Sequence, residues 1–222
     1  MNPFEGMGRL LSALFGGDVW MLKPALNVPA LWTLGLFAVV VGGLLVMVIY
    51  KLVPLIERHF EPTVMVVSYL AMGGIIFVEV VRRFGFDQQA PWSTTIPPFL
   101  FLIMTWVGCS YNVKLRTHLS FSEFRNAAPR PIQFALLMLD AVLWITFSWI
   151  VVVAGVRIVV NSMANFQIVL GTDNTMQWWF LISLPLSFIL LAGRVFENVA
   201  KDIHNYRNDK PLIEQAVIGG DA

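Results

Sequence analysis

Five long apolar runs, separated by short polar joints, fill most of this 222-residue sequence and decide its solvent. They extend over 30–50, 63–81, 97–111, 132–155 and 178–200. A helix rises ~1.5 Å per residue, so about 20 mainly apolar residues cross a hydrocarbon core. Four runs meet that length. The third reaches it by recruiting Asn112 and Val113, or crosses where the bilayer is thin. Helices of a soluble protein carry a polar face, and these runs have almost none. Charged residues make up 13% of the chain, against about 25% in soluble domains. Mean hydropathy is +0.71. The fold class to expect is all-α, an integral membrane helical bundle.

Basic residues set the orientation. Lys51 and Arg58, then Lys114, Arg116, Arg125 and Arg130, then Arg194, Lys201, Arg207 and Lys210 fall in segments that share one side. Arg9, Lys23, Arg82, Arg83 and Arg157 fall on the other. Positive charge is retained in the cytoplasm, which puts the C-terminus inside and, with five spans, the N-terminus outside. Net charge is +1 with no basic stripe, so nucleic acid is not an expected partner. Cys109 is the single cysteine, which excludes an intramolecular disulfide and suits a small buried apolar residue. The first run is too long for a signal core and reads as a retained span.

Residues 1–28 read as a leader. Phe4, Met7, Leu10, Leu11, Leu14 and Phe15 recur at helical spacing with Glu5, Arg9 and Ser12 between them. That pattern suits a helix in the membrane interface, ended by Gly16 and Gly17, with a disordered leader as the alternative. Trp32, Trp92, Trp178 and Trp179 stand where aromatic anchors meet headgroups. Pro185 should kink the fifth span and free the carbonyl near Leu181. Gly42 with Gly43, and Gly73 with Gly74, allow close helix contact.

Ionisable groups inside spans are the usual functional flags, and few are visible. Glu79 stands three and four residues before Arg82 and Arg83, on one helical face, which suits a local ion pair. Asp140 lies eight residues beyond Ile132, about 12 Å along the helix. A carboxylate there needs a proton, a hydrogen bond or another subunit, and Thr105 and Ser110 are candidate partners. Arg157 and Arg194 stand near span ends, from which they can extend to headgroups.

Enzyme signatures are missing: no phosphate-cradling loop, paired-histidine metal motif or nucleophile elbow occurs. No enzyme activity, cofactor or metal is expected. A haem bundle needs facing axial ligands at one depth, but His59, His118 and His204 all fall in joints or the tail. Internal repeats, the mark of many free-standing carriers, are not visible. An independent carrier or channel stays open as the second reading.

The stretch from Trp106 to Phe121 leaves a span, turns basic and reaches His118. Here the chain resembles the small membrane subunit (DctQ-like) of tripartite ATP-independent periplasmic (TRAP) transporters, through Trp106, Gly108, Cys109, Arg116 and His118. The segments 78–86 and 184–194, and the pair Trp92 and Ser93, are similar to other family motifs in the right order. The likeness covers about 63–205. Thr94 and Thr95, and Phe121 and Ser122, stand where the family often has acidic residues.

The resemblance implies four core transmembrane helices, with the run at 30–50 an extra N-terminal span. The implied division is a leader over 1–28, the extra span and joint over 29–62, the membrane domain over 63–205 and a cytoplasmic tail over 206–222. In that family a large membrane subunit carries the substrate and sodium sites, and a periplasmic binding protein delivers an organic acid. The small subunit braces the large one in the bacterial inner membrane. Large subunit, binding protein and membrane lipid are therefore the expected partners. Glu79, Arg82, Arg83, Trp106, Gly108, Arg116, His118, Asp140, Pro185 and Arg194 are the candidate structural or interface residues. The outer joints at 84–97 and 162–177 are expected to dock the binding protein, and the inner joint at 114–130 to anchor anionic lipid or close the bundle.

Overall fold

The computed structural model describes residues 6–16, 19–116 and 128–212. Two short helices, α1 (Met7–Gly16) and α2 (Val19–Ala25), precede five long ones. These are α3 (Ala30–Leu52), α4 (Pro54–Phe86), α5 (Ile96–Leu115), α6 (Arg130–Ala164) and, after the single turn α7 (Trp178–Leu181), α8 (Ser183–Arg207). Five stretches are long and apolar enough to cross a membrane, counting α7 with α8 as one. No strand forms among the described residues. The third span does take in Asn112 and Val113, since α5 runs on to Leu115.

The first joint differs from expectation. Only Val53 separates α3 from α4, and Pro54 opens α4 where its missing N–H costs nothing. Residues 54–62 are thus helical, and the boundary drawn at 62/63 falls inside α4. Near the fifth span's start the helix loosens at Ile182, three residues before Pro185, although Ile182 keeps helical dihedrals and accepts the Leu186 N–H at 3.4 Å. The Pro185 nitrogen cannot donate, so the bond back to the Leu181 carbonyl is lost. Pro185 is buried against Gly155 of α6.

Helix α8 is the axis of the bundle, packing on α3, α5 and α6. Of its most apolar window 44% is buried, against 6% for α4, which touches mainly α5 and lies at the periphery. Val39, Val113, Val152, Phe188, Leu191, Ala192 and Val195 form the central core. A Cβ on Gly193 would meet Val46 at 2.6 Å, and one on Gly43 would meet Phe196 at 2.8 Å. Backbones of α3 and α8 therefore approach as only small residues permit. Gly73 and Gly74 behave otherwise: nothing lies within 4 Å of an added Cβ, so this pair makes no close contact within the chain.

The leader helices pack. Leu10, Ala13, Ala25 and Leu26 are buried with Leu31, Val153 and Val160 at one end of α3 and α6. At the same end Trp149 Nε1 donates to the Trp32 carbonyl at 2.7 Å, and the Arg157 guanidinium stands 5.7 Å from the Trp32 ring centroid. Residues 165–177 form a tight loop in which Val169 N donates to Thr175 O and Gln177 N to Gln167 O. Thr95 Oγ1 donates to Leu170 O at 2.7 Å, which ties this loop to the start of α5.

Candidate functional site

The most concentrated chemistry lies at the opposite end, where four helices converge on Arg194. Spacing on each helix supplies a pair: Glu57 and Glu61 one turn apart on α4, Ser110 and Lys114 on α5, Arg194 and Glu197 on α8. Tyr50, near the end of α3, adds its ring. Arg194 is 1% exposed and Glu61 0%.

Arg194 directs all of its donors to acceptors. Its Nε donates to Glu61 Oε1 at 3.0 Å and Oε2 at 3.2 Å. One terminal nitrogen donates to Glu61 Oε2 at 2.6 Å and to the Glu57 carbonyl at 2.9 Å. The other reaches Glu197 Oε2 at 2.7 Å and Glu57 Oε1 at 3.2 Å. The guanidinium carbon stands 4.0 Å from the Tyr50 ring centroid. Glu61 also accepts from Ser110 Oγ at 2.8 Å, and Lys114 Nζ pairs with Glu57 Oε1 at 2.7 Å. A buried ion pair stabilises little by itself, because desolvation offsets attraction, yet an unpaired charge in its place is costly. The hub therefore fixes which helices meet and in what register. It leaves no open donor on Arg194 for a solute.

A second clasp lies beside it. Arg116, at the end of α5 with φ 55°, pairs with Asp202 at 2.7 Å. Asn198 Nδ2 donates to Val113 O at 2.9 Å. Arg130 pairs with Asp209 at 2.7 Å and donates to the carbonyls of Asn205, Tyr206 and Lys210. Three cations, Lys114, Arg116 and Arg130, are thus paired with carboxylates of this chain.

Several expected residues have different surroundings. Arg194 does not extend to headgroups, because its guanidinium is enclosed by the carboxylates of α4 and α8. Glu79 forms no ion pair with Arg82 or Arg83 among the described residues; its carboxylate accepts the Ala90 N–H at 3.1 Å, which ties the outer joint down. Thr105 donates to its own helix at Phe101, Ser110 donates to Glu61, and Asp140 lines a cavity of about 30 Å³ with Arg116, Asn198 and Asp202. Trp106 packs against the central core, Gly108 lies beside Met65, and His118 falls outside the described residues.

Sequence reasoning missed Glu57 and Glu61, which fall in the polar joint after the first run, and Glu197, which falls within the fifth run. One signal was present: carboxylates at i and i+4 in one joint, and an arginine with a glutamate at i+3 at the same membrane level in the last span.

Bundle and hub together define a class: a multi-pass membrane protein whose charges tie its own helices to one another. Residues 72–205 match the family model described as tripartite ATP-independent periplasmic transporters, DctQ component, and the chain belongs to that family. Over 170 residues it is 22% identical to the sialic acid TRAP transporter small permease protein SiaQ of Vibrio cholerae serotype O1, an alignment covering 75% of this chain and 96% of that protein. The hub joins the two sides of the family match: Ser110, Lys114, Arg194 and Glu197 lie within it, Tyr50, Glu57 and Glu61 before it.

Proposed function

We propose that this chain is the fixed membrane subunit of a TRAP-type uptake system in the bacterial inner membrane. It braces a large ion-coupled subunit that moves an organic acid, which a periplasmic binding protein delivers. Its C-terminus lies in the cytoplasm, following the distribution of arginine and lysine. The observation that carries this reading is the saturation of Arg194: all its donors are used by acceptors of this chain, on α4 and on α8 itself, which suits a rigid brace and not a transport site. A carboxylate substrate fits the sialic acid named for the Vibrio relative.

Support for docking at the outer end comes from the bond between Thr95 and Leu170, which makes one surface of 84–97 and 162–177. Co-purification in mild detergent tests the whole reading. A much larger hydrophobic chain should accompany this one, and this chain alone in vesicles should give no uptake. Uptake by the chain alone would establish an independent carrier instead.

A further inference from the structure

The outer end of α4 and α5 holds a feature that the brace does not use. The two helices diverge there around an open cavity of about 590 Å³. One wall is the stripe Met72, Ile76 and Val80 on α4; Pro97, Pro98 and Phe101 form the other. Four-residue spacing puts the stripe on a single helical face. The cavity opens along α4, the span least buried within this chain.

Its mouth is cationic. Arg83 lines it and, among the described residues, makes no hydrogen bond or ion pair. Arg82 adds a second positive charge beside it. The carboxylate in the cavity, Glu79, is engaged by the Ala90 N–H. Ser93 and Thr94 donate their hydroxyls to Ala90 O and Pro91 O. Asp87, exposed at the end of α4, is the nearby acid that competes for the arginines. An apolar slot in the acyl region with an unmatched guanidinium at headgroup level has the chemistry of one occupant.

We propose that this groove is a phospholipid site: an acyl chain lies between α4 and α5, and Arg83 holds the phosphate. The site does not depend on the bracing role, because both its walls belong to this chain.

The test uses the full chain in mild detergent, delipidated and then titrated with phosphatidylglycerol or with diacylglycerol of the same acyl chains. Native mass spectrometry reads occupancy, and a phosphatidylglycerol with a diazirine in its acyl chain maps the contact. Labelling should concentrate on Met72, Ile76 and Phe101. Arg83→Gln should weaken phosphatidylglycerol binding about fivefold, the scale of one basic residue at an anionic surface, and leave diacylglycerol unchanged. Ile76→Trp, at a position 48% exposed and therefore tolerant, should fill the slot and abolish labelling without lowering the melting temperature. Labels spread evenly over the exposed faces of α3, α4 and α6 would overturn the proposal. So would equal binding of the two lipids, or a partner protein cross-linked through Ile76 in place of lipid.

Discussion

Arg194 and Glu61, 133 residues apart in sequence, meet with a nitrogen–oxygen distance of 2.6 Å and no solvent-exposed side-chain surface on either partner. The pair connects α8 to the first turns of α4, and its dependents on α3 and α5 complete the connection.

Removing one member of this pair should be worse than removing both. Arg194→Met leaves Glu61 with only Ser110 and Tyr50, and should cost about 3–5 kcal/mol. Glu61→Gln should cost less, because Arg194 keeps Glu57 and Glu197. The double variant Arg194→Met with Glu61→Met should recover part of the loss. Thermal unfolding in detergent reads all three; equal melting temperatures for wild type and Arg194→Met would refute a structural hub.

Gly171 adopts φ +80°, and an added Cβ would stand 2.5 Å from the Pro91 carbonyl carbon. Gly171→Ala should strain the 165–177 loop by about 1–3 kcal/mol. Limited proteolysis should then cut within that loop sooner than in the wild type.

Glycines with and without a helix packed against them should respond differently. Gly193→Val overpacks the α3–α8 contact, where about 1–3 kcal/mol is typical. Gly73→Val adds a side chain where nothing lies within 4 Å and should leave the isolated chain's melting temperature unchanged. A stable Gly193→Val variant would contradict the close approach of those backbones.

The outer docking surface predicts an electrostatic signature. Asp173→Lys and Arg82→Glu should each weaken capture of the binding protein about five- to tenfold at low salt, and less at high salt. Unchanged uptake and capture in both variants would remove the outer joints from the interface.

The spans were legible because crossing hydrocarbon demands a length and an apolarity that local sequence displays. Asn112 and Val113 could be assigned to the third span on that ground alone. The hub was not legible, because Glu57 and Glu61 sit in a polar segment that looks wetted until Arg194 arrives from the far end of the chain. Helix register across the bundle decides that meeting, and no local pattern records it. Gly42 with Gly43, and Gly73 with Gly74, make the same point: equal spelling, but only the first pair has a neighbouring helix. Pro185 was readable as a break because a missing N–H is a property of the residue itself.

Tyr50, Glu57 and Glu61 all lie ahead of the stretch that matches the family, while the arginine they enclose lies inside it. A shortened chain beginning at residue 63 would leave Glu197 as the one hub carboxylate still facing Arg194, with most of the guanidinium's donors unmatched among the packed helices. The segment ahead of residue 63 is therefore part of the hub and not an addition to it. A truncation that removes Glu57 and Glu61 should need an apolar residue at position 194 to regain stability.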